Sequence, residues 1–179
     1  GSFLRLECGI SIEKFNDIDL RSFQITLDGE EKYHNKTRFA KDDHHTYSKI
    51  VNNIELLCHN INNINMTVRI NYTIQNIKSI EKIADAFSQD IRPLILISPH
   101  VVWQHFKRIP NLSETIETKM TTFRIKGYKV KDYISSPKKC IGCYTESMLQ
   151  FVVNYNAQIY KCTARDFSEK YSIGKLDID

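Results

Sequence analysis

The chain has 179 residues, 41% of them hydrophobic and 26% charged, enough for one good core or for one domain and the start of another. Its formal net charge of +4 is spread along the chain, so charge alone indicates no nucleic-acid partner. No apolar run approaches the roughly 20 residues that cross a bilayer, and the N-terminus has no signal-peptide pattern. Five unevenly spaced cysteines argue against a disulfide framework and for a reducing compartment, the cytoplasm.

In chain order, Ser11 is placed to cap a short helix through Asn16. Ser22 to Gly29 reads as a strand closed by an Asp-Gly turn, with Phe23, Ile25 and Leu27 apolar and Gln24, Thr26 and Asp28 polar. Residues 30–45 read as a polar loop. Tyr47 to Asn60 has the best helical stripe, in which Ile50, Ile54, Leu57 and Ile61 recur at steps of three and four, with Cys58 beside it as a small core residue. Met66 to Thr73 alternates again, placing Val68, Ile70 and Tyr72 on one side and Thr67, Arg69 and Asn71 on the other. Ser79 is placed to cap a helix through Gln89, and Pro93 to Ile97 is an apolar run expected to be covered on both faces. A helix from Ser113, with Ile116, Met120 and Phe123 inward, ends at Gly127 where a left-handed residue is needed. Tyr128 to Tyr133 is a short strand, and Ser135-Ser136-Pro137-Lys138-Lys139 is the expected boundary. Strand and helix alternating at this spacing predict right-handed parallel crossovers.

Two groups of residues carry chemistry. In a parallel barrel the carboxyl ends of the strands hold the site, and Thr26, Asp28, Arg69 and Asn71 would converge there. That set suits a zwitterionic ligand with a ribose, Arg69 taking the carboxylate and Asp28 or Thr26 taking hydroxyls or an ammonium group. The plainer reading is a solvated strand face with an ordinary turn. The second group is Cys140, Cys143 and Cys162, a C-x-x-C and a third thiol beyond the strand-like run Leu149–Lys161, which suits zinc or iron–sulfur ligation. Its plainer reading is reduced thiols lining a hairpin core. Three ligands without a fourth make a poor site, so no metal, adventitious zinc or a Cys140–Cys143 disulfide also fit. His44-His45 reads as a solvated pair, and His100, Trp103 and His105 follow the third strand where a ligand edge can lie.

Phe23-Gln24-Ile25-Thr26-Leu27-Asp28-Gly29, then His34-Asn35-Lys36-Thr37-Arg38, then Val68-Arg69-Ile70-Asn71-Tyr72, resembles the second half of a radical S-adenosylmethionine (radical SAM) enzyme barrel. Cys143, the turn Asn156-Ala157, Ile159-Tyr160-Lys161-Cys162 and Ile173-Gly174-Lys175-Leu176 resemble the opening of a SPASM domain, which holds auxiliary iron–sulfur clusters in peptide- and protein-modifying members such as anaerobic sulfatase maturases. Ala157 stands where that pattern has glycine.

The resemblance covers almost the whole chain. It implies an α/β fold in which residues 1–134 form the C-terminal part of a partial parallel (β/α) barrel and residues 135–179 a small β-hairpin cysteine segment. It implies S-adenosylmethionine and [4Fe–4S] clusters as cofactors of the intact protein, with hydrogen abstraction from a peptide or protein substrate. Thr26 and Asp28 match the family's ribose or aminoacyl contact, Arg69 and Asn71 its polar strand-five positions, Arg38 its loop arginine, and Cys140, Cys143 and Cys162 its metal ligands. The family's C-x-x-x-C-x-x-C loop is absent from these residues, and neither Cys8 nor Cys58 supplies it, so this chain is expected to be catalytically inactive by itself, a fragment that can self-associate through an exposed edge strand. The competing class is a non-catalytic module, a degenerate relative or a zinc-hairpin domain, that binds a peptide or protein. Nucleic-acid and membrane partners are not expected.

Overall fold

Alternation with a period of two marks the strands, and the burial of their apolar members decides which face of the sheet is covered. The computed structural model describes residues 11–39, 44–102, 111–131, 151–154, 157–162 and 167–175. The chain divides into two compact units, Gly1–Ile134 and Ser135–Asp179.

The first unit is a mixed α/β structure. Its parallel sheet contains β1 (Ser22–Leu27), β2 (Asn65–Tyr72), β3 (Ile95–Val101) and β4 (Lys129–Val130), in the order β1-β2-β3-β4. Helix α1 (Ile12–Asp17) precedes β1, α2 (Glu31–Thr37) and α3 (Thr46–Asn60) join β1 to β2, and α4 (Leu112–Ile125) lies between β3 and β4. In-register pairing stacks residues into rows: Phe23, Met66 and Ile95; then Ile25, Val68, Ile97 and Val130; then Leu27, Ile70 and Pro99. These rows share one apolar cluster with Ile54 and Leu57 of α3, Ile80 and Ile83, and Ile116, Met120 and Phe123 of α4. All these elements therefore cover the same face. Each fully buried aliphatic or phenyl side chain contributes about 1.5–3 kcal/mol, so this face sets the register. The rows between them carry Thr26, Arg69 and Ser98, then Asn71 and His100. On β2 those positions are half-buried while their neighbours are fully buried.

Several expectations hold. Cys58 is buried in the core, and desolvation pushes its thiol up to about 12, a structural and unreactive sulfur. Gly127 ends α4 at φ 93°, in the left-handed region. Others are corrected. The polar stretch 30–45 contains α2, which has no apolar stripe and is anchored by one buried residue, His34. The segment after Ser79 is a 3-10 helix, Ile80–Asp85, rather than an α-helix through Gln89. Buried residues at 80, 83 and 84 fit a three-residue repeat as well as a 3.6-residue one over so short a run. Neither Ser11 nor Ser79 makes a side-chain cap; the Ser79 hydroxyl instead donates to the Asn76 carbonyl, at 3.3 Å. Pro93 lies in a separate 3-10 turn, Arg92–Leu94, and β3 begins at Ile95, with Leu96 only half-buried, so the run is not covered on both faces.

In the second unit, β5 (Val152–Val153), β6 (Gln158–Tyr160) and β7 (Gly174–Lys175) form an antiparallel sheet in that order. The strand-like run Leu149–Lys161 contains the expected hairpin, β5 and β6, closed where the Ala157 N–H donates to the Asn154 carbonyl at 2.9 Å. Tyr160 is buried against Phe167, and its hydroxyl donates to the Phe167 carbonyl at 2.8 Å. Asn156 lies outside the described residues. Ala157 adopts φ 64° where the resemblance has glycine, so the turn keeps its left-handed residue at a steric cost of ~1–2 kcal/mol. Ala157→Gly is therefore expected to leave stability unchanged or to raise it by up to ~1 kcal/mol, against the usual loss for such a change. Urea unfolding followed by tyrosine fluorescence measures this.

At the end of α3, His59 Nε2 lies 2.8 Å from Asp90 Oδ2, and this hydrogen bond raises the imidazole above its ordinary value, with Glu55 adding to it. A base with a raised folded-state value contributes stability that is complete below the unfolded value, about 6.5, and is lost as pH rises through the folded one. His59→Gln should consequently lower the thermal midpoint at pH 5.5 and change it little at pH 8.5. The difference should shrink in high salt because the pair is exposed.

Candidate functional site

Past Leu27 the chain must leave β1, and the Asp-Gly turn does this beside the end of β2. Gly29 has φ 93°, and a Cβ there would lie 3.0 Å from Asn76 Nδ2, so both conformation and space require glycine. Asn76, only 1% exposed, joins the two strand ends. Its Nδ2 donates to the carbonyl oxygens of Asp28, at 3.2 Å, and Asn71, at 3.1 Å, while its Oδ1 accepts from the Thr73 N–H at 2.7 Å.

On this frame the Asp28 carboxylate is held from two sides. Arg38 Nε donates to Oδ2 at 2.6 Å and Asn71 Nδ2 donates to Oδ1 at 3.0 Å. Asn71 Oδ1 in turn accepts from Arg69 Nε at 3.0 Å, so one chain of hydrogen bonds runs from Arg38 through Asp28 and Asn71 to Arg69. The Asp28 side chain is 16% exposed and Arg38 49%, which puts the carboxylate at the bottom of the group and a guanidinium at its rim. The Asp28 N–H donates to His34 Nδ1 at 3.1 Å, which assigns the neutral ring's proton to Nε2. Burial, then Arg38, lowers the His34 proton affinity against the opposing pull of Asp28, so the ring is neutral and fixes the Asp28 backbone. Among the described residues its buried Nε2 has no hydrogen-bond partner, and the ring meets Tyr47 edge-on at 5.6 Å between centroids.

Asp28, Arg38 and Asn71 open onto a cavity of about 360 Å³ whose wall is completed by Tyr33, Thr37, Thr73, Asn76 and Val102. The Tyr33 and Thr73 hydroxyls lie 3.2 Å apart. With a carboxylate, a guanidinium and several hydroxyls and amides, the cavity is equipped for a small polar, hydroxyl-bearing or zwitterionic molecule.

Of the residues singled out from sequence, Asp28, Arg38 and Asn71 come together on the cavity and Arg69 joins them through Asn71. Thr26 stands beside Arg69 in the register, so both lie on one face, but Thr26 does not line the cavity. Cys140 and Cys143 lie outside the described residues, as do Trp103 and His105. Cys162 follows β6 and is half-buried, and among the described residues no group of three or more His, Cys, Asp or Glu side chains could hold a metal ion. Asn76, Tyr33, Thr73 and the buried role of His34 were not anticipated. The signal for Asn76 was present in its position in the turn four residues past the end of β2 and three past Thr73, where an amide side chain can mimic a missing backbone partner. Among the described residues no helix is long and apolar enough to cross a membrane. No protein-family model matches the chain, and no curated protein matches it.

Replacing Asn76 tests the frame. Asn76→Ala leaves two buried carbonyls and one N–H without partners and should cost about 2–4 kcal/mol in chemical denaturation. Asn76→Asp should be at least as damaging at neutral pH, because its second oxygen would face the Asp28 and Asn71 carbonyls instead of donating to them.

Proposed function

We propose that this chain contributes the later strands of a radical SAM-type partial (β/α) barrel and the opening of a SPASM-like iron–sulfur segment, from an enzyme that modifies a peptide or protein by hydrogen abstraction. The observation that carries this reading is the doubly held Asp28 carboxylate at the carboxyl ends of parallel strands, with Arg38 and Arg69 on either side of it. A sequential strand order with α3, the 3-10 helix Ile80–Asp85 and α4 on one face is the arrangement an arc of such a barrel would have, and it leaves the polar rows for an interior.

The donor set fits S-adenosylmethionine. Asp28 would accept hydrogen bonds from ribose hydroxyls or the ammonium group, with Thr26 as a further hydroxyl on the same face. Arg69 and Arg38 each use Nε internally, and their terminal nitrogens would take a ligand carboxylate. When bound, S-adenosylmethionine and a [4Fe–4S] cluster supply the radical chemistry that abstracts hydrogen from substrate. Cluster ligands would have to come from outside these 179 residues, which contain no C-x-x-x-C-x-x-C loop. Cys140, Cys143 and Cys162 would ligate an auxiliary cluster, and the peptide or protein nature of the substrate rests on that segment's resemblance alone. The chain's own residues bind, orient and shield, and on this reading it turns nothing over by itself.

The absence of that loop also favours the second reading, a non-catalytic module that binds a peptide or protein partner. Isothermal titration of S-adenosylmethionine into the chain separates the two. Binding that Asp28→Asn weakens by about ten- to a hundred-fold, with the circular dichroism spectrum unchanged, supports the first, the factor being that of a hydrogen bond to a charged group. No binding, or equal binding by the variant, leaves the partner-binding module.

A further inference from the structure

The polar face does not stop at β2. Register pairing places Ser98 beside Arg69 and His100 beside Asn71, so β3 adds a third column to the one formed by Thr26 and Asp28 and the one formed by Arg69 and Asn71. Its other face is apolar and buried, with Ile95, Ile97 and Pro99 turned to the core. Packing therefore explains only every second residue of β3. Ser98 is 3% exposed, yet it carries a hydroxyl, and that hydroxyl lies 3.2 Å from His100 Nε2. Residues two apart on a strand point to the same side, so this bond runs along the polar face and fixes the imidazole's orientation. With Nε2 engaged, Nδ1 is left without a hydrogen-bond partner among the described residues.

We propose that the ligand site extends onto β3, where Ser98 positions His100 and the His100 ring contacts the bound ligand through Nδ1. This extension rests on the reading of the polar face as a ligand site and adds a contact that the motifs on β1 and β2 do not contain. Burial first, and then the charges of Arg69 on β2 and Lys131 just after β4, lower the proton affinity of the ring and keep the imidazole neutral. A neutral ring offers either an acceptor or an N–H at Nδ1, according to which way the Ser98 hydroxyl points. The columns then divide the work. Asp28 and Arg38 hold the charged or hydroxylated part of the ligand at the cavity, and His100 sets which groups are accepted farther across the sheet.

The experiment combines two substitutions with an imidazole-resolved spectrum, using S-adenosylmethionine as the probe. His100→Gln keeps an amide that can reach the Ser98 hydroxyl from the Nε2 position and removes Nδ1, whereas Asp28→Asn tests the underlying site. The expected result is that the His100 ring resonances shift on addition of S-adenosylmethionine and that His100→Gln weakens its binding about three- to ten-fold, the value of one neutral hydrogen bond. Unshifted His100 resonances with unchanged affinity in His100→Gln, while Asp28→Asn still loses affinity, overturn this inference and leave the proposed function standing. Absence of binding by the parent chain, or indifference to Asp28→Asn, removes the ligand site itself and this extension with it.

Discussion

The polar group at the strand ends depends on a single buried amide. Asn76 bonds to the backbones of Asp28 and Asn71 at the point where β1 and β2 stop pairing. Beyond that point the sheet no longer sets the distance between the two chains, and the Asp-Gly turn is free to swing. The Asn76 amide takes over from the ladder: it satisfies two carbonyls that would otherwise be buried and unpaired, and it does so only if both backbones lie within hydrogen-bond reach. The carboxylate above it then meets Asn71 at 3.0 Å without any ordering of its own.

That order is what makes the group chemically usable. An aspartate beside an exposed arginine on a mobile turn is an ordinary surface ion pair, worth little and screened by salt. Here the backbone of Asp28 is held by Asn76 and by the neutral imidazole of His34, and its side chain by Arg38 and Asn71. The carboxylate accepts two hydrogen bonds from fixed donors and still faces a cavity. Preorganisation of this kind lowers the ordering cost of binding a small molecule.

Much of the first unit's core was legible because burial has a period. Phe23, Ile25 and Leu27, the even positions of β2, and Ile116, Met120 and Phe123 are each recognisable without coordinates, and each packs into the same cluster. The segments that escaped have no period. Helix α2 buries one residue, His34, and gives the stripe rule nothing to count. The 3-10 turn at Ile80–Asp85 is too short to separate a repeat of three from one of 3.6. In the site, Asp28 and Asn71 were visible as polar members of alternating strands, whereas Tyr33 and Thr73 were not, since each hydroxyl gains meaning only from its neighbour across 40 residues of chain.

Sequence alone determined the sidedness of this protein. Apolar residues on alternate positions of β1 and β2 dictate which face is covered, and therefore that Thr26, Arg69 and Asn71 share the other, because a strand's side chains alternate whatever surrounds them. Only the tertiary structure decided which polar residues meet. The parallel register set Arg69 between Thr26 and Ser98, and the crossing of backbones at Asn76 brought Asp28 onto Asn71. Register is a property of the pairing between segments far apart in the chain, so neither strand encodes it by itself.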